Sequence, residues 1–510
     1  VTAGPRGWWG LAAALILGAV PALASPAMSW WWLAWIGLVP LMLVVRAAPS
    51  ARAAALRGCA GMAGYVLATQ YWLLPSSGPL LLVLAVGLGA LWAPWGVAVH
   101  RCLRAPLTTR GVLAATAVVP SAWVLAEAVR SVPGLGGPGA LLGASQWNQP
   151  ATLASASLGG VWLTSFLVVA ANTAIACAVL DRRVPARATA VAVAVSCAAL
   201  GPAWFWSGPA PAAGETVRVA LVQPGNVEES TARQAAGEAL TAGLVGRPVE
   251  LVVWGESSLG VDLSADPAAM RRLTDLSRRV GADLLVNVDA RDRSGRISKS
   301  SVLIGPDGLR GEYVKTRLVP FGEYVPLRPL LGWATRHTQA ADEDRRRGTG
   351  QVVLHTEGQG GLAIGPLISF ETTFSDLPRR LVRDGAQLLA YQSSTSSYQG
   401  SWAQPQLASQ AAVHAAEVGH AAVHTGLSGV SSAFDARGRR LAWYPATERG
   451  VVVVDVPLGA SDTVFARYGN WVLWPASATL AGALVLAASR RTSARKPRFP
   501  GTCASARARG

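Results

Sequence analysis

Cysteine is scarce, and none of it lies in the polar half of the chain. Cys59, Cys102, Cys177, Cys197 and Cys503 sit in or beside apolar runs or in the tail, and none falls between residues 208 and 468. A disulfide framework and a cysteine nucleophile are therefore both excluded from that segment. Charge is scarce too. Only 15% of the 510 residues are charged while 51% are hydrophobic, and the mean hydropathy is +0.33, which excludes an ordinary soluble domain and points to membrane spans. Acidic residues are outnumbered, 29 against 45 Lys and Arg; nucleic-acid binding would explain that excess only if the basic residues gathered on one face.

They do not gather; they alternate. Apolar stretches of spanning length run from Trp8 to Ala24, Trp30 to Val45, Gly58 to Leu74, Leu80 to Val99, Val112 to Ala128, Val161 to Leu180 and Thr189 to Trp206, with an eighth from Trp471 to Ala488. Arg6 precedes the first, Arg46, Arg52 and Arg57 follow the second, and Arg101, Arg104 and Arg110 follow the fourth. Arg182, Arg183 and Arg187 follow the sixth; Arg490, Arg491, Arg495, Lys496 and Arg498 follow the eighth. The positive-inside rule puts every cluster in the cytoplasm, so seven spans start from an inside N-terminus, the segment from Ser207 to Tyr468 lies outside, and the last helix returns a basic tail. The first run, with Arg6 before it and Ala-Leu-Ala-Ser at its end, also has the shape of a signal peptide. Losing it leaves the later charge parity unchanged. Of the 20 tryptophans, Trp8, Trp9, Trp30, Trp31, Trp32 and Trp95 stand near span ends, where an amphipathic ring suits the interface.

The expected organisation is a membrane bundle over 1–207, a Pro/Ala/Gly linker over 208–216, a polar domain over 217–468, one helix over 469–489 and a basic tail over 490–510. In the polar domain short β-branched runs (Val217 to Gln223, Val249 to Trp254, Asp283 to Val288, Ser301 to Ile304, Leu362 to Phe370, Gln387 to Tyr391) alternate with helical stretches (Glu228 to Ala242, Pro267 to Val280, Gln404 to Val418). This alternation reads as a layered α/β domain. No internal repeat is evident.

Three segments carry polar groups to strand ends. Val252 to Ser257 ends in Glu256, either a general base or a helix cap. Tyr313 to Pro326 carries Lys315 and then a rigid apolar turn with a second acid, Glu323. Ile368-Ser369-Phe370-Glu371 closes another apolar strand at a sharp turn. Serine, lysine and glutamate at three strand ends supply the elements of a nucleophile, an oxyanion stabiliser and a base.

At these residues the chain resembles the apolipoprotein N-acyltransferases, the membrane branch of the nitrilase superfamily. Leu318-Val-Pro-Phe-Gly-Glu-Tyr-Val-Pro326 is close to a signature; Ala220 to Gln223, Val288 to Arg291, Gly143 to Gln146, Asn470 and the order of spans and domain agree with it. The resemblance implies a multi-pass bundle of seven plus one spans carrying an extracytoplasmic nitrilase-like αββα sandwich. It implies acyl transfer from a phospholipid to the α-amino group of the S-diacylglyceryl-cysteine of a lipoprotein at the cytoplasmic membrane, with no metal or dissociable cofactor. Position by position, Glu256 matches the general base, Lys315 the oxyanion stabiliser and Glu323 the supporting acid, while Glu371 and Glu417 also match. Ser369 stands where the family has its nucleophilic cysteine. A thiol is partly ionised near neutral pH, whereas a serine hydroxyl must lose its proton during attack. Phe370 replaces a tyrosine, Thr395 to Gly400 with Tyr398 replaces the Asn-Asp-Ala-Trp-Phe-Gly loop, and His414, His420 and His424 replace arginines.

The three histidines lack the spacing of a zinc site. Leu327, Leu330, Leu331 and Trp333 follow the signature on a loop expected near the bilayer, either to guide an acyl chain or to cover the domain edge. Two further readings stand beside the acyltransferase. One is a catalytically degenerate paralogue that binds lipid or lipoprotein or anchors a partner, for which the resemblance supplies a precedent in the link of such domains to polyprenol-phosphate mannose synthase. The other is a serine esterase, which lacks a G-x-S-x-G elbow here.

Overall fold

The computed structural model describes residues 5–104, 107–212, 214–292, 294–332, 343–357 and 361–494. Trp333, Arg495, Lys496, Arg498 and Cys503 lie outside them.

Each of the eight apolar stretches is helical. By length and composition Thr109–Arg130, Ala156–Leu180 and Val184–Ser207 suffice to cross a membrane, and Leu80–Ala90 with Ala93–Cys102 makes a fourth if that pair, bent by 44°, is one span. Trp8–Ala24, Trp31–Arg46 and Leu473–Ser489 are shorter apolar helices. Ala51–Gln70 packs between them through small residues: a Cβ on Gly64 would lie 1.9 Å from the Leu15 carbonyl oxygen, and one on Gly96 would lie 2.4 Å from that of Ala54. Close backbone approach of this kind is how helices associate in lipid, where burial of apolar surface supplies no drive.

The polar half is two six-stranded sheets face to face. The first has the order β12-β1-β2-β3-β4-β5, from Gly450–Pro457 (β12), Thr216–Gln223 (β1), Leu251–Trp254 (β2), Asp283–Arg291 (β3), Ile297–Gly305 (β4) and Gly308–Val314 (β5). The second has the order β11-β10-β9-β8-β7-β6, from Arg440–Tyr444 (β11), Ser431–Phe434 (β10), Ala421–Gly426 (β9), Leu388–Ser393 (β8), Ala363–Ile368 (β7) and Leu354–His355 (β6). The central strands β1-β2-β3 and β7-β8-β9 run parallel, each joined through a crossover helix: Ser230–Ala242 and Pro267–Val280 on the first sheet, Asp376–Arg383 and Ala403–Val418 on the second.

Side-chain alternation sorts the strands into layers. Val219, Leu221, Leu251, Val253, Leu285, Ile364, Leu388, Ala390 and Val423 meet between the sheets. Ala220, Val222, Val252, Trp254, Leu284 and Val286 face the first helix layer. The result is an αββα sandwich.

The two helix layers differ. Pro267–Val280 keeps a polar face with Arg271 and Arg272 in water, whereas Ala403–Val418 is buried almost all round. The second layer is pressed onto the bundle, where Trp147, Leu153, Val161 and Trp162 join Leu389, Tyr391, Ala412 and Phe434 in one core. Trp147 stacks on Trp443 at 4.8 Å between ring centroids.

Candidate active site

The chemistry-bearing residues stand at the carboxyl ends of strands, the edge where parallel α/β sheets leave their loops free. Glu256 lies two residues past β2. The intervening Gly255 is required by contact: a Cβ there would lie 2.3 Å from Leu427 N on the opposite sheet. Glu256 N donates to Ser393 O at 3.2 Å, and its Oε2 accepts Ser394 N at 2.8 Å. One sheet's base is thus clamped by the end of β8 in the other. Gln392, just before, ties the sheets together by donating to Trp254 O at 2.8 Å and Leu285 O at 3.1 Å and accepting Ser301 Oγ at 2.5 Å.

Around Glu256 the structure assembles a buried ionic lattice. Lys315, one residue past β5 and fully buried, donates to Glu323 Oε1 at 2.8 Å and lies 3.9 Å from Glu256 Oε1. Glu323 is held on its other oxygen by Val319 N at 2.8 Å. A second lysine, Lys299 on β4, donates to Glu256 Oε1 at 2.7 Å and reaches Asp289 Oδ2 at 3.3 Å and Glu323 Oε1 at 3.5 Å. Asp289 is the direct cross-strand partner of Lys299, and takes Arg345 Nη1 at 2.6 Å and Ser257 Oγ at 2.9 Å. Three carboxylates face three cations, with Glu256, Glu323, Lys299 and Lys315 buried and Asp289 and Arg345 part-buried. Burial pushes the acids up, but the neighbouring cations outweigh it: Glu323 is held at about 2 by Lys315 and Lys299, and Asp289 at about 2 by Lys299 and Arg345. For Lys299 burial works downward, and Glu256, Asp289 and Glu323 together raise it above the ordinary lysine range.

Ser369 is the first residue after β7. Its φ is +53°, a left-handed conformation costly for a side chain bearing Cβ and concentrated at functional turns. Ile368 pairs with Gln392 in the parallel register, so Ser369 leaves its strand beside the end of β8, where Ser393 O and Ser394 N clamp Glu256. Its side chain is part-exposed and makes no hydrogen bond among the described residues. Glu371 explains how the turn is held. Its Oε2 accepts Ile368 N at 2.9 Å, while Oε1 accepts Thr316 N at 2.8 Å, Arg317 N at 2.9 Å, Thr316 Oγ1 at 2.8 Å and the Tyr313 hydroxyl at 2.7 Å. The turn carrying Ser369 is therefore stitched to the two residues that follow Lys315.

The remaining sequence candidates sit apart from the lattice. Tyr398, in the loop after β8, packs edge-on against Trp72 of the bundle at 4.7 Å, and burial raises its hydroxyl. Glu417 lies at the junction of domain and bundle. It accepts Val161 N at 2.7 Å and Ser375 Oγ at 3.0 Å, and faces His414 Nδ1 at 2.7 Å. Gly159 and Gly160 interrupt the helix just before Val161, Gly160 with φ +68°; Glu417 thus caps the restarted membrane helix, where a carboxylate complements the exposed N–H groups and the helix dipole. The three histidines have separate partners: His414 Nε2 meets Thr372 O at 2.8 Å, His420 Nδ1 meets Val418 O at 2.9 Å, and His424 Nε2 meets Ser393 Oγ at 2.6 Å.

Sequence reasoning missed Lys299 and Gln392. A signal existed for the first: only Lys299, Lys315 and Lys496 are lysines among the 45 basic residues. In a chain that otherwise uses arginine, two lysines in one domain mark places that need a compact ammonium. Gln392 sits in an apolar strand with no such mark.

Residues 17–174 match the apolipoprotein N-acyltransferase N-terminal domain and residues 218–464 the carbon-nitrogen hydrolase family. Similar full-length proteins include the apolipoprotein N-acyltransferases of Azotobacter vinelandii, 31% identical over 94% of this chain and 94% of that one, and of Gloeobacter violaceus, 30% identical over 96% of each. That of Geobacter metallireducens is 28% identical over 93% of this chain and 94% of its own. Among solved structures, a carbon-nitrogen hydrolase from Helicobacter pylori G27 aligns over 48% of this chain and 90% of its own, with 13% identity and a TM-score of 0.38. Identity of this extent across both the helical and the sandwich halves means that the chain belongs to the apolipoprotein N-acyltransferases.

Proposed function

We propose that the protein is an acyltransferase that moves a fatty acyl chain from a phospholipid to the α-amino group of the S-diacylglyceryl-cysteine of a lipoprotein, with Ser369 as nucleophile, Glu256 as base and Lys315 as oxyanion stabiliser. Ser369 Oγ attacks the ester carbonyl of the phospholipid and gives its proton to Glu256. The tetrahedral oxyanion is stabilised by Lys315. Collapse breaks the ester C–O bond, the lysophospholipid oxygen takes the proton from Glu256, and the acyl group remains on Ser369. The lipoprotein amine then attacks that ester, its proton passes through Glu256 to Ser369 Oγ, and the amide leaves.

The observation that carries this reading is the pairing of an ion lattice with a serine on a stitched strand-end turn: Glu371 binds the Ser369 turn to the backbone just after Lys315, and the end of β8, the strand paired with β7, clamps Glu256. Such pre-organisation lets fixed charges stabilise a developing oxyanion with little rearrangement.

For topology we propose seven spans before the domain and one after it, within 1–207 and 469–489, with the sandwich over 217–468 on the outer side of the cytoplasmic membrane. The alternating arginine clusters and the helix over each apolar run support this count. The loop after the signature fits a membrane-facing edge, since Leu327 is 70% and Leu330 72% exposed. Large apolar side chains left in the open at such a level suit acyl chains better than water.

The test is direct. Purified protein in detergent, given phospholipid and a diacylated lipopeptide, is expected to yield triacylated product, with acyl-Ser369 trapped by mass spectrometry when the amine is withheld. Ser369→Ala is expected to abolish both, and Ser369→Cys to raise the rate, because a thiolate needs less of its base. Full turnover by Ser369→Ala would refute the assignment of the nucleophile.

A further inference from the structure

Two buried ammonium groups lie near Glu256, and the closer one is not Lys315. Lys299 Nζ is 2.7 Å from Glu256 Oε1, against 3.9 Å for Lys315, whose own short contact at 2.8 Å is to Glu323. Lys299 comes from β4, Asp289 from β3, Glu323 and Arg345 from the loops after β5, and Glu256 from the end of β2. These are the charged groups that face Lys299, and they balance: Glu256, Asp289 and Glu323 against Lys299, Lys315 and Arg345.

The three acids do not depend on Lys299 equally. Glu323 keeps Lys315 at 2.8 Å and Val319 N at 2.8 Å whatever happens on β4. Asp289 keeps Arg345 at 2.6 Å and Ser257 Oγ at 2.9 Å. Among the described residues Glu256 would retain one backbone N–H, from Ser394, and an ammonium 3.9 Å away. Without Lys299 the close cations are Lys315 and Arg345 against three carboxylates, with Arg233 acting on Asp289 from farther off, and such an arrangement relieves itself by taking up a proton, because burial penalises the unmatched charge. The proton goes to the acid with the weakest remaining support, which is Glu256.

We infer that Lys299 is a positioning residue for the base: it holds Glu256 as a carboxylate, in one rotamer, ready to receive the Ser369 proton. The role rests on the acyltransferase reading above for its consequence, but the charge it assigns to Glu256 can be read without turnover. Lys315 then serves the oxyanion and Lys299 the base.

The full-length protein in detergent is titrated by infrared spectroscopy, following the stretch of protonated carboxyl groups in wild type, Lys299→Met and Lys299→Met/Glu256→Gln. The expected result is an added protonated-carboxyl band at neutral pH in Lys299→Met that vanishes in the double variant. No added band, or a band that survives Glu256→Gln, overturns the inference. In the phospholipid and lipopeptide assay, Lys299→Met is expected to lower kcat at least about tenfold at pH 7 with KM little changed, and to move the acid limb of kcat/KM to higher pH. Lys299→Arg keeps the charge and is expected to leave the acid limb where wild type has it; a displaced limb in that variant counts against the inference even if Lys299→Met fails to fold. Wild-type inactivity, or an active Ser369→Ala, would defeat the acyltransferase reading while leaving the infrared result to decide Lys299 by itself.

Discussion

Two buried polar clusters flank the Ser369 turn, and they are built on different principles. In front, Glu256, Asp289 and Glu323 are matched mainly by side-chain cations on neighbouring strands and loops. Behind, Glu371 is satisfied largely by backbone N–H groups and hydroxyls, and Glu417 by a helix start, a hydroxyl and His414. Charge matched by ammonium groups already in place can stabilise a proton transfer or an oxyanion as it develops; charge matched by the backbone serves to hold the fold. The front cluster therefore suits chemistry and the rear cluster suits positioning.

That contrast fails if substitutions in front act on stability alone, or those behind on rate alone. The largest expected effect is at Lys315. Lys315→Met should lower turnover about 10²- to 10³-fold, the usual cost of removing one oxyanion donor, measured as triacylated lipopeptide formed per enzyme. Next is Glu371→Ala, which strands three backbone N–H groups and two hydroxyls; a stability loss of about 3 kcal/mol or more is expected from calorimetry or denaturant unfolding in detergent.

Acid should distinguish the clusters in a graded way. Asp289 and Glu323 titrate at about 2 in the fold, below their unfolded values, so the unfolded chain binds protons first as pH falls. Their contribution is fully present above the ordinary carboxylate range and is lost as pH drops toward 2, on the order of 2 kcal/mol for each. Thermal unfolding between pH 6 and pH 3 checks this, and a flat profile would mean that the lattice does not hold its acids ionised. The smallest effect is expected at the junction. Glu417→Gln keeps an acceptor for Val161 N while losing the charge beside His414, for about 1 kcal/mol of stability and a rate within a fewfold of wild type.

Much of the fold was legible because its signals are local. Each apolar run is helical, though Trp30 to Val45 and Leu80 to Val99 are each broken into two pieces; Val217 to Gln223 is β1 to within a residue, and Pro267 to Val280 is the helix Pro267–Val280. Strands β5, β6 and β9 to β12 were not among the runs read from the sequence. β11 is largely exposed and mixes Arg440 with Trp443, so its alternation is weak, and its place is fixed by pairing with β10 through an irregular register. The short helix Asp376–Arg383 was missed for a similar reason: eight residues with Pro378 inside carry little pattern.

The candidate site was legible in part. Glu256, Lys315 and Ser369 end strands because polar groups following apolar runs mark the point where a buried strand meets a loop. Glu417, by contrast, was picked out by the family resemblance alone and stands apart from Glu256 and Lys315, capping a membrane helix start that only the docking of domain on bundle creates.

Hydropathy and the spacing of arginines determined by themselves that this chain divides into apolar helices and a layered polar domain, since solvent partition acts on each segment separately. Which ammonium rests on Glu256 was decided by tertiary structure alone. Lys299 and Glu256 are 43 positions apart in the chain and 2.7 Å apart in the fold, brought together by the β3–β4 register and the burial of the strand ends, and a charge's partner depends on such distances and on the local dielectric, not on its neighbours in sequence.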